Sequence, residues 1–238
     1  MIRELTYNNR ILSEQERAEF CKESDKYINE FSECIEGICQ LAKEVPKSEN
    51  SDYNKITNTI INIGIFTGYS FCDCIVLTKL FVRATNPYEK SFLRGKLKVQ
   101  LNESFKKLYG FNAKGYKDSY CAQLEDIITM FPGFRNEFDE LLSDLELISK
   151  DSWWKDERDA EVHIDASKLY ELRPEEINES KVAMEAGQLT NLFNRFNHLT
   201  AEMHRVYLNY LTAQFVKENG IIPCVTDGIV TCNKILGA

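Results

Sequence analysis

Residues 59–82 read TIINIGIFTGYSFCDCIVLTKLFV, with no proline and only two glycines. A run this apolar must be removed from water, and it is long enough to cross a bilayer, which takes about 20 residues. But Asp73 stands at its middle, with Asn62 and Lys79 toward the ends. A central Asp costs about 2.5–3.5 kcal/mol on insertion scales. A helix that is apolar all round also suits the centre of a soluble bundle. The expectation is therefore a central core helix and no membrane span.

The rest of the chain supplies helices to surround it. Ser13-Glu14-Gln15-Glu16 has the form of a capping box. Phe20, Tyr27, Ile28, Phe31, Ile35, Ile38 and Leu41 then follow at helical steps until Pro46. A second helix is expected over about 52–85, broken by Asn86-Pro87, and a third over 88–109, stopped by Gly110. Residues 112–118 read as a loop. Shorter helices are expected over 119–130 and 137–150, with Pro132-Gly133 between them. Residues 151–173 form a charged, irregular segment. Pro174 suits the first turn of a last, longest helix over about 175–218. Its stripe runs Leu189, Leu192, Phe193, Phe196, Leu199, Met203, Val206, Tyr207, Tyr210 and Phe215. In the tail, Asp227-Gly228 is a hairpin turn signal. The fold expected is all-α: a single bundle of five to six helices over residues 1–220, with long first, second and last helices. Residues 221–238 form an extension that carries the short hairpin.

Five Pro and eleven Gly in 238 residues speak against a turn-rich all-β fold. The net charge of −8, from 29 basic and 37 acidic side chains, excludes a protein that coats nucleic acid by overall charge. A small basic site remains open. The first ten residues hold no apolar stretch of signal-peptide length, so the expected compartment is the cytoplasm. The eight cysteines, at 21, 34, 39, 72, 74, 121, 224 and 232, lack the paired knuckle spacing of a zinc site. They read as free thiols, buried or inert.

The chain has three histidines. His198 and His204 fall inside the last helix and read as ordinary helix-face residues. His163 lies in the irregular segment, where Arg158-Asp159-Ala160-Glu161-Val162-His163 places an Arg and a His four residues apart, with a polar residue right after the Arg. RNA can cleave itself when its 2′-hydroxyl attacks the adjacent phosphate. That reaction needs a group to move the hydroxyl proton and a cation to meet the phosphate charge. A histidine titrates near neutral pH and suits the first task. The guanidinium fork of Arg158 suits the second. Asp159 would orient either residue, or a water.

This motif, ahead of the last long helix of an all-helical chain, resembles that of the HEPN superfamily. Those proteins are helical bundles, many of them ribonucleases, marked by an Arg, four to six residues, and a His. The resemblance implies a metal-independent RNA endonuclease with no cofactor. It implies a 2′,3′-cyclic phosphate product and a composite site shared by two chains of a homodimer. It further implies toxin or defence biology, in which an antitoxin or a nucleotidyltransferase partner restrains the enzyme. Some HEPN toxins carry a Tyr two residues after the His; here that position is Asp165. The alternative is a catalytically inactive HEPN-like bundle that serves binding or assembly.

Charge bears on both readings. Residues 133–165 hold four basic and eleven acidic side chains, which would repel RNA unless the carboxylates point elsewhere. The same carboxylates offer a rival site, a divalent cation held by Asp159, Glu161, His163 and Asp165. Helix three carries a compensating set, Lys90, Arg94, Lys96, Lys98, Lys106 and Lys107. Arg94 and Lys98 are four apart and share a face, which makes them the candidate substrate-binding pair. The tandem Trp153-Trp154 reads as an anchor of the irregular segment. Asp73 is expected either to pair with a neighbouring cation such as Arg94 or to serve as an auxiliary site residue.

Overall fold

The computed structural model describes residues 12–44, 51–151, 179–219, 221–226 and 229–234. They form α1 (Glu14–Glu44), α2 (Ser51–Arg83), α3 (Pro87–Leu108), α4 (Ala113–Lys117), α5 (Tyr120–Ile128), α6 (Arg135–Asp151) and α7 (Glu179–Asn219), then strands β1 (Ile221–Thr226) and β2 (Ile229–Lys234). The architecture is an all-α bundle. β1 and β2 pair antiparallel, with Thr226 opposite Ile229. The seven helices among the described residues exceed the five or six expected.

The extra one is α4, in the stretch read as a loop. Asn112 caps it by accepting from the Gly115 N–H at 2.8 Å. A side chain that closes on the backbone three residues on converts a turn into one helical turn. Before it, Gly110 ends α3 at φ +80°. Its N–H donates to Phe105 O at 3.3 Å, an oxygen that also accepts from the Tyr109 N–H at 2.8 Å. A Cβ at Gly110 would lie 2.5 Å from the Gly115 carbonyl carbon and 2.6 Å from Tyr116 N. Backbone cannot yield as a side chain does. Gly110→Ala should therefore lose about 2–3 kcal/mol, from left-handed strain plus crowding, read as a lower urea midpoint at unchanged slope.

Caps start the other helices. Ser13 Oγ accepts from the Glu16 N–H at 3.3 Å, while Glu16 Oε2 accepts from the Ser13 N–H at 2.9 Å, so the capping box is present. Asn86 Oδ1 accepts from the Tyr88 and Glu89 N–H groups ahead of Pro87, which turns the chain from α2 into α3.

α2 is the centre. Ile56, Ile63, Cys74 and Phe81 are buried along it. α1 packs on one side, with Phe31 stacked on Phe71 at 3.8 Å between ring centroids. α3 packs on another, where Ser104 donates to Ser70 at 3.3 Å. α7 runs antiparallel on a third. In the orientation its neighbours require, the Asn197 amide donates to Gly64 O and Thr67 Oγ1 at 2.9 Å and accepts from the Gly68 N–H at 3.2 Å. Further along the same contact, Tyr53 stacks on Tyr207.

α2 is long and apolar enough to cross a membrane, and 56% of its apolar window is buried inside the bundle. What stays open is one stripe, Tyr69, Asp73, Val76 and Leu80. The stripe of α7 is buried from Val182 to Met203 and ends at Tyr207. Val206 and Tyr210, read as part of that stripe, are exposed. Both lie off the line Met203, Tyr207 and Leu211, which keeps to the core at four-residue steps.

Candidate functional site

Arg158, Asp159 and His163 lie outside the described residues, as do Trp153, Trp154, Glu161 and Asp165. The two ends of the segment that carries them are described. α6 ends at Asp151 beside the C-terminus of α3, where Glu146, Ser149 and Lys150 line a cleft of about 550 Å³ with Tyr109, Phe111 and Tyr116. α7 starts at Glu179 beside the N-terminus of α3, where Lys90 pairs with Glu179. The segment 152–178 therefore joins points at opposite ends of α3, a helix about 33 Å long.

The face of α3 between those ends is polar. Lys90, Arg94, Lys98 and Asn102 recur at four-residue steps, so they stand one above the next. At the first step, Arg17 Nη2 lies 2.6 Å from Glu179 Oε2, and Lys90 meets the other carboxylate oxygen. Arg17 also donates to Val82 O and, at 3.1 Å, to Leu12 O. One buried carboxylate thus ties together the starts of α1, α3 and α7 and the end of α2. Burial, then the nearby Arg17 charge, holds the Lys90 pKa below its ordinary value.

At the next step, the positive charge of Arg94 acts on Glu185 of α7. Lys181 Nζ stands 3.8 Å from Glu185 Oε1. Glu185 Oε2 is sealed from solvent and has no hydrogen-bond partner. Burial pushes this carboxyl from its ordinary 4.5 up to about 7, with Lys181 and Arg94 pulling the other way. Desolvation outweighs two nearby cations, so the group is poised between neutral and charged forms near neutral pH. Lys98, one turn on, is only 2% exposed, and Asn102 the same. The two candidate substrate-binding residues do share one face, and that face packs inward.

The other helix-three cations go elsewhere. Lys96 is exposed over the Phe92 ring, Lys106 stands 4.0 Å from Glu103, and Lys107 lies over the Tyr120 ring. The six basic residues therefore do not make one surface patch.

Asp73 departs from the expected pairing with Arg94. It lies on the open stripe of α2, and the Gln100 amide donates to it at 3.3 Å. Partial burial raises its pKa. Asp73 stands on the exposed stripe of α2, within reach of α3 through Gln100. Asp73 and the Arg94–Lys98 face lie on different sides of α3, so the structure does not bring them together.

The acidic side chains at the end of the bundle are largely matched. Asp139 pairs with Arg135 at 2.8 Å and Glu146 with Lys150 at 2.9 Å. Arg195 of α7 meets Asp144 at 2.5 Å and Glu140 at 3.8 Å. His198 is exposed, and burial lowers the pKa of half-buried His204. Among the described residues, no group of three or more His, Cys, Asp or Glu is placed to hold a metal ion. Cys74 and Cys121 are buried thiols whose pKa burial raises, which makes them poor nucleophiles.

Sequence reasoning missed Arg17, Lys90, Glu179 and Glu185 as members of one cluster. Arg17 and Glu179 stand 162 positions apart, and no local pattern joins them. Lys181 and Glu185 read as an ordinary i,i+4 surface pair. Only the packing of α7 on α3 shows that Glu185 is inside. No family pattern, curated protein or solved structure matches the chain.

Proposed function

We propose that the chain is a metal-independent RNA endonuclease of HEPN type. It works as a homodimer that uses Arg158 and His163, with Asp159 as orienting residue. The observation that carries the reading is connectivity. The segment bearing Arg158-x4-His163 leaves α6 beside one end of α3 and enters α7 beside the other, and between those ends half-buried Arg94 acts on the first turns of α7, whereas Lys98 is buried and closed to substrate. An all-α bundle with a long last helix directly after the motif agrees with the same reading. Arg195 of α7, paired with Asp144 and Glu140, adds one cation from outside residues 133–165 and lowers the repulsion of the acidic segment toward RNA by that one charge.

The chemistry follows from the side chains. His163 takes the proton from a 2′-hydroxyl. The oxygen attacks phosphorus, and the bond to the 5′-oxygen breaks. Arg158 meets the charge that develops on the phosphoryl oxygens. DNA lacks the hydroxyl and resists. A toxin or defence effector of this kind would be held in check by an antitoxin or nucleotidyltransferase partner.

Induced expression of the chain should arrest growth, and Arg158→Ala should relieve the arrest at equal protein level. Equal arrest by both proteins would overturn the role of Arg158.

One observation favours a second reading, an inactive bundle used for binding or assembly. Arg17 and Lys90 both meet Glu179, so part of the cationic charge near α7 is spent on holding helices together. A chain of this kind would be harmless on expression and would leave RNA intact.

A further inference from the structure

The outward side of α2 holds large apolar side chains in solvent. Tyr69 is 52% exposed, Val76 38% and Leu80 41%. From Tyr69 onward the exposed positions of α2 are Tyr69, Asp73, Val76, Leu80 and Arg83, in alternating steps of four and three. That spacing is the one that lets a second helix lie along the first. α3 extends the strip. Asp73 stands level with Gln100, and Ser70 with Ser104. The same antiparallel register puts Val76 about level with Lys96, and Leu80 about level with Phe92, which is 62% exposed. A contiguous apolar strip of this kind marks an interaction surface.

The charges on the strip say what kind of partner fits. Asp73 accepts a hydrogen bond from Gln100, and burial alone raises its pKa, with no neighbouring cation acting against it. Lys96 Nζ lies over the Phe92 ring, 5.2 Å from its centroid, and meets no carboxylate among the described residues. One face thus carries a carboxylate and an ammonium, about one helical turn apart, that the chain does not pair with each other. An unrelated partner would need both complements in matching places. A second copy brings them by symmetry, because a two-fold interface sets one patch against itself and makes every contact twice. The exposed row from Asn62 to Arg83 is about 30 Å long. With α1 and α3 beside it at about 10 Å spacing, the face can supply the ~800 Å² per partner of a standard interface.

We infer that the α2–α3 face is the seam of a two-fold homodimer, in which Asp73 of each chain pairs with the partner's Lys96 around a strip of Tyr69, Val76, Leu80 and Phe92. The seam rests on the homodimer of the RNA reading above, but not on its catalytic residues. With the two-fold axis between Asp73 and Val76, the two α2 helices cross antiparallel. Tyr69 then lies against the partner's Leu80, and Asp73 reaches the partner's Lys96.

Sedimentation velocity on the full chain tests the seam. The parent is expected to be a dimer. Asp73→Lys puts two cations on the face, and Lys96→Glu puts two carboxylates there. Each variant alone should weaken the dimer about tenfold or more, since symmetry repeats each like-charge contact. Both positions are exposed, so the helical circular-dichroism signal should stay parental. An equal mixture of the two variants should form dimers again, because in the mixed pair every carboxylate faces an ammonium. No contact within one chain can produce that restoration.

A parent that stays monomeric would overturn the seam and the homodimer of the RNA reading together, and binding of that monomer to phosphatidylcholine vesicles would assign the strip to a lipid surface. A parent dimer that neither variant weakens, or variants that fail to restore each other on mixing, would overturn the seam alone. Dimers restored on mixing, in a chain that leaves RNA intact, would support the seam and refute the nuclease reading.

Discussion

Replacing His163 by alanine is expected to slow RNA cleavage by about 10²–10⁴-fold, the usual worth of a positioned acid–base group. The expectation follows from the balance of the reaction. A 2′-hydroxyl is a poor nucleophile until its proton is taken, and a neutral imidazole is the one side chain whose ordinary titration lies near physiological pH. Alanine removes the acceptor and leaves the phosphate contacts of Arg158, so affinity for RNA should change far less than the rate of cleavage. The helical circular-dichroism signal is the control for folding and should be unchanged if the loss is catalytic. A variant that cleaves at the parental rate would remove His163 from the mechanism.

The largest effect on stability is expected at Glu179. Its side chain is 4% exposed, and the Arg17 and Lys90 side chains that meet it are 17% and 13% exposed. Glu179→Ala would leave two largely buried cations without their shared anion. Removal of one partner from such a buried arrangement costs about 3–5 kcal/mol. The loss includes geometry as well as charge, since Arg17 also holds the Val82 and Leu12 carbonyls. The check is the urea midpoint at constant slope. Glu30→Ala is a fitting control. Glu30 and Lys26 form a 4.0 Å pair with both side chains more than half exposed, and pairs of that kind contribute little. Equal midpoints for the two variants would show that the Glu179 cluster is not a structural tie.

The framework of the bundle could be read from the chain because it is written in local terms. A capping box at Ser13–Glu16, a proline after Asn86 and a glycine after Tyr109 each act within a few residues, and the apolar steps of α1, α2 and α7 report burial directly. α4 was misread because a five-residue helix carries no period; only the reach of Asn112 to the Gly115 N–H makes it. In the stripe of α7, apolar type alone does not separate exposed Val206 and Tyr210 from the line of Met203, Tyr207 and Leu211 that keeps to the core. For Asp73 the sequence leaves a buried pair and an auxiliary site role both open, because it shows that α2 is apolar but not which stripe its neighbours leave exposed. The candidate site was legible in one part, the shared face of Arg94 and Lys98. Glu185 was hidden, because its neighbour Lys181 makes it look like half of a surface pair.

The most direct test of the central claim is the chemistry of the cut end. A 5′-labelled RNA is incubated with the purified chain in a chelating buffer, and the products are identified by mass. Cleavage that leaves a 2′,3′-cyclic phosphate and a 5′-hydroxyl, with the same-sequence DNA intact, is the predicted result. Intact RNA, or cleavage that needs an added divalent ion and leaves a 3′-hydroxyl, would contradict it.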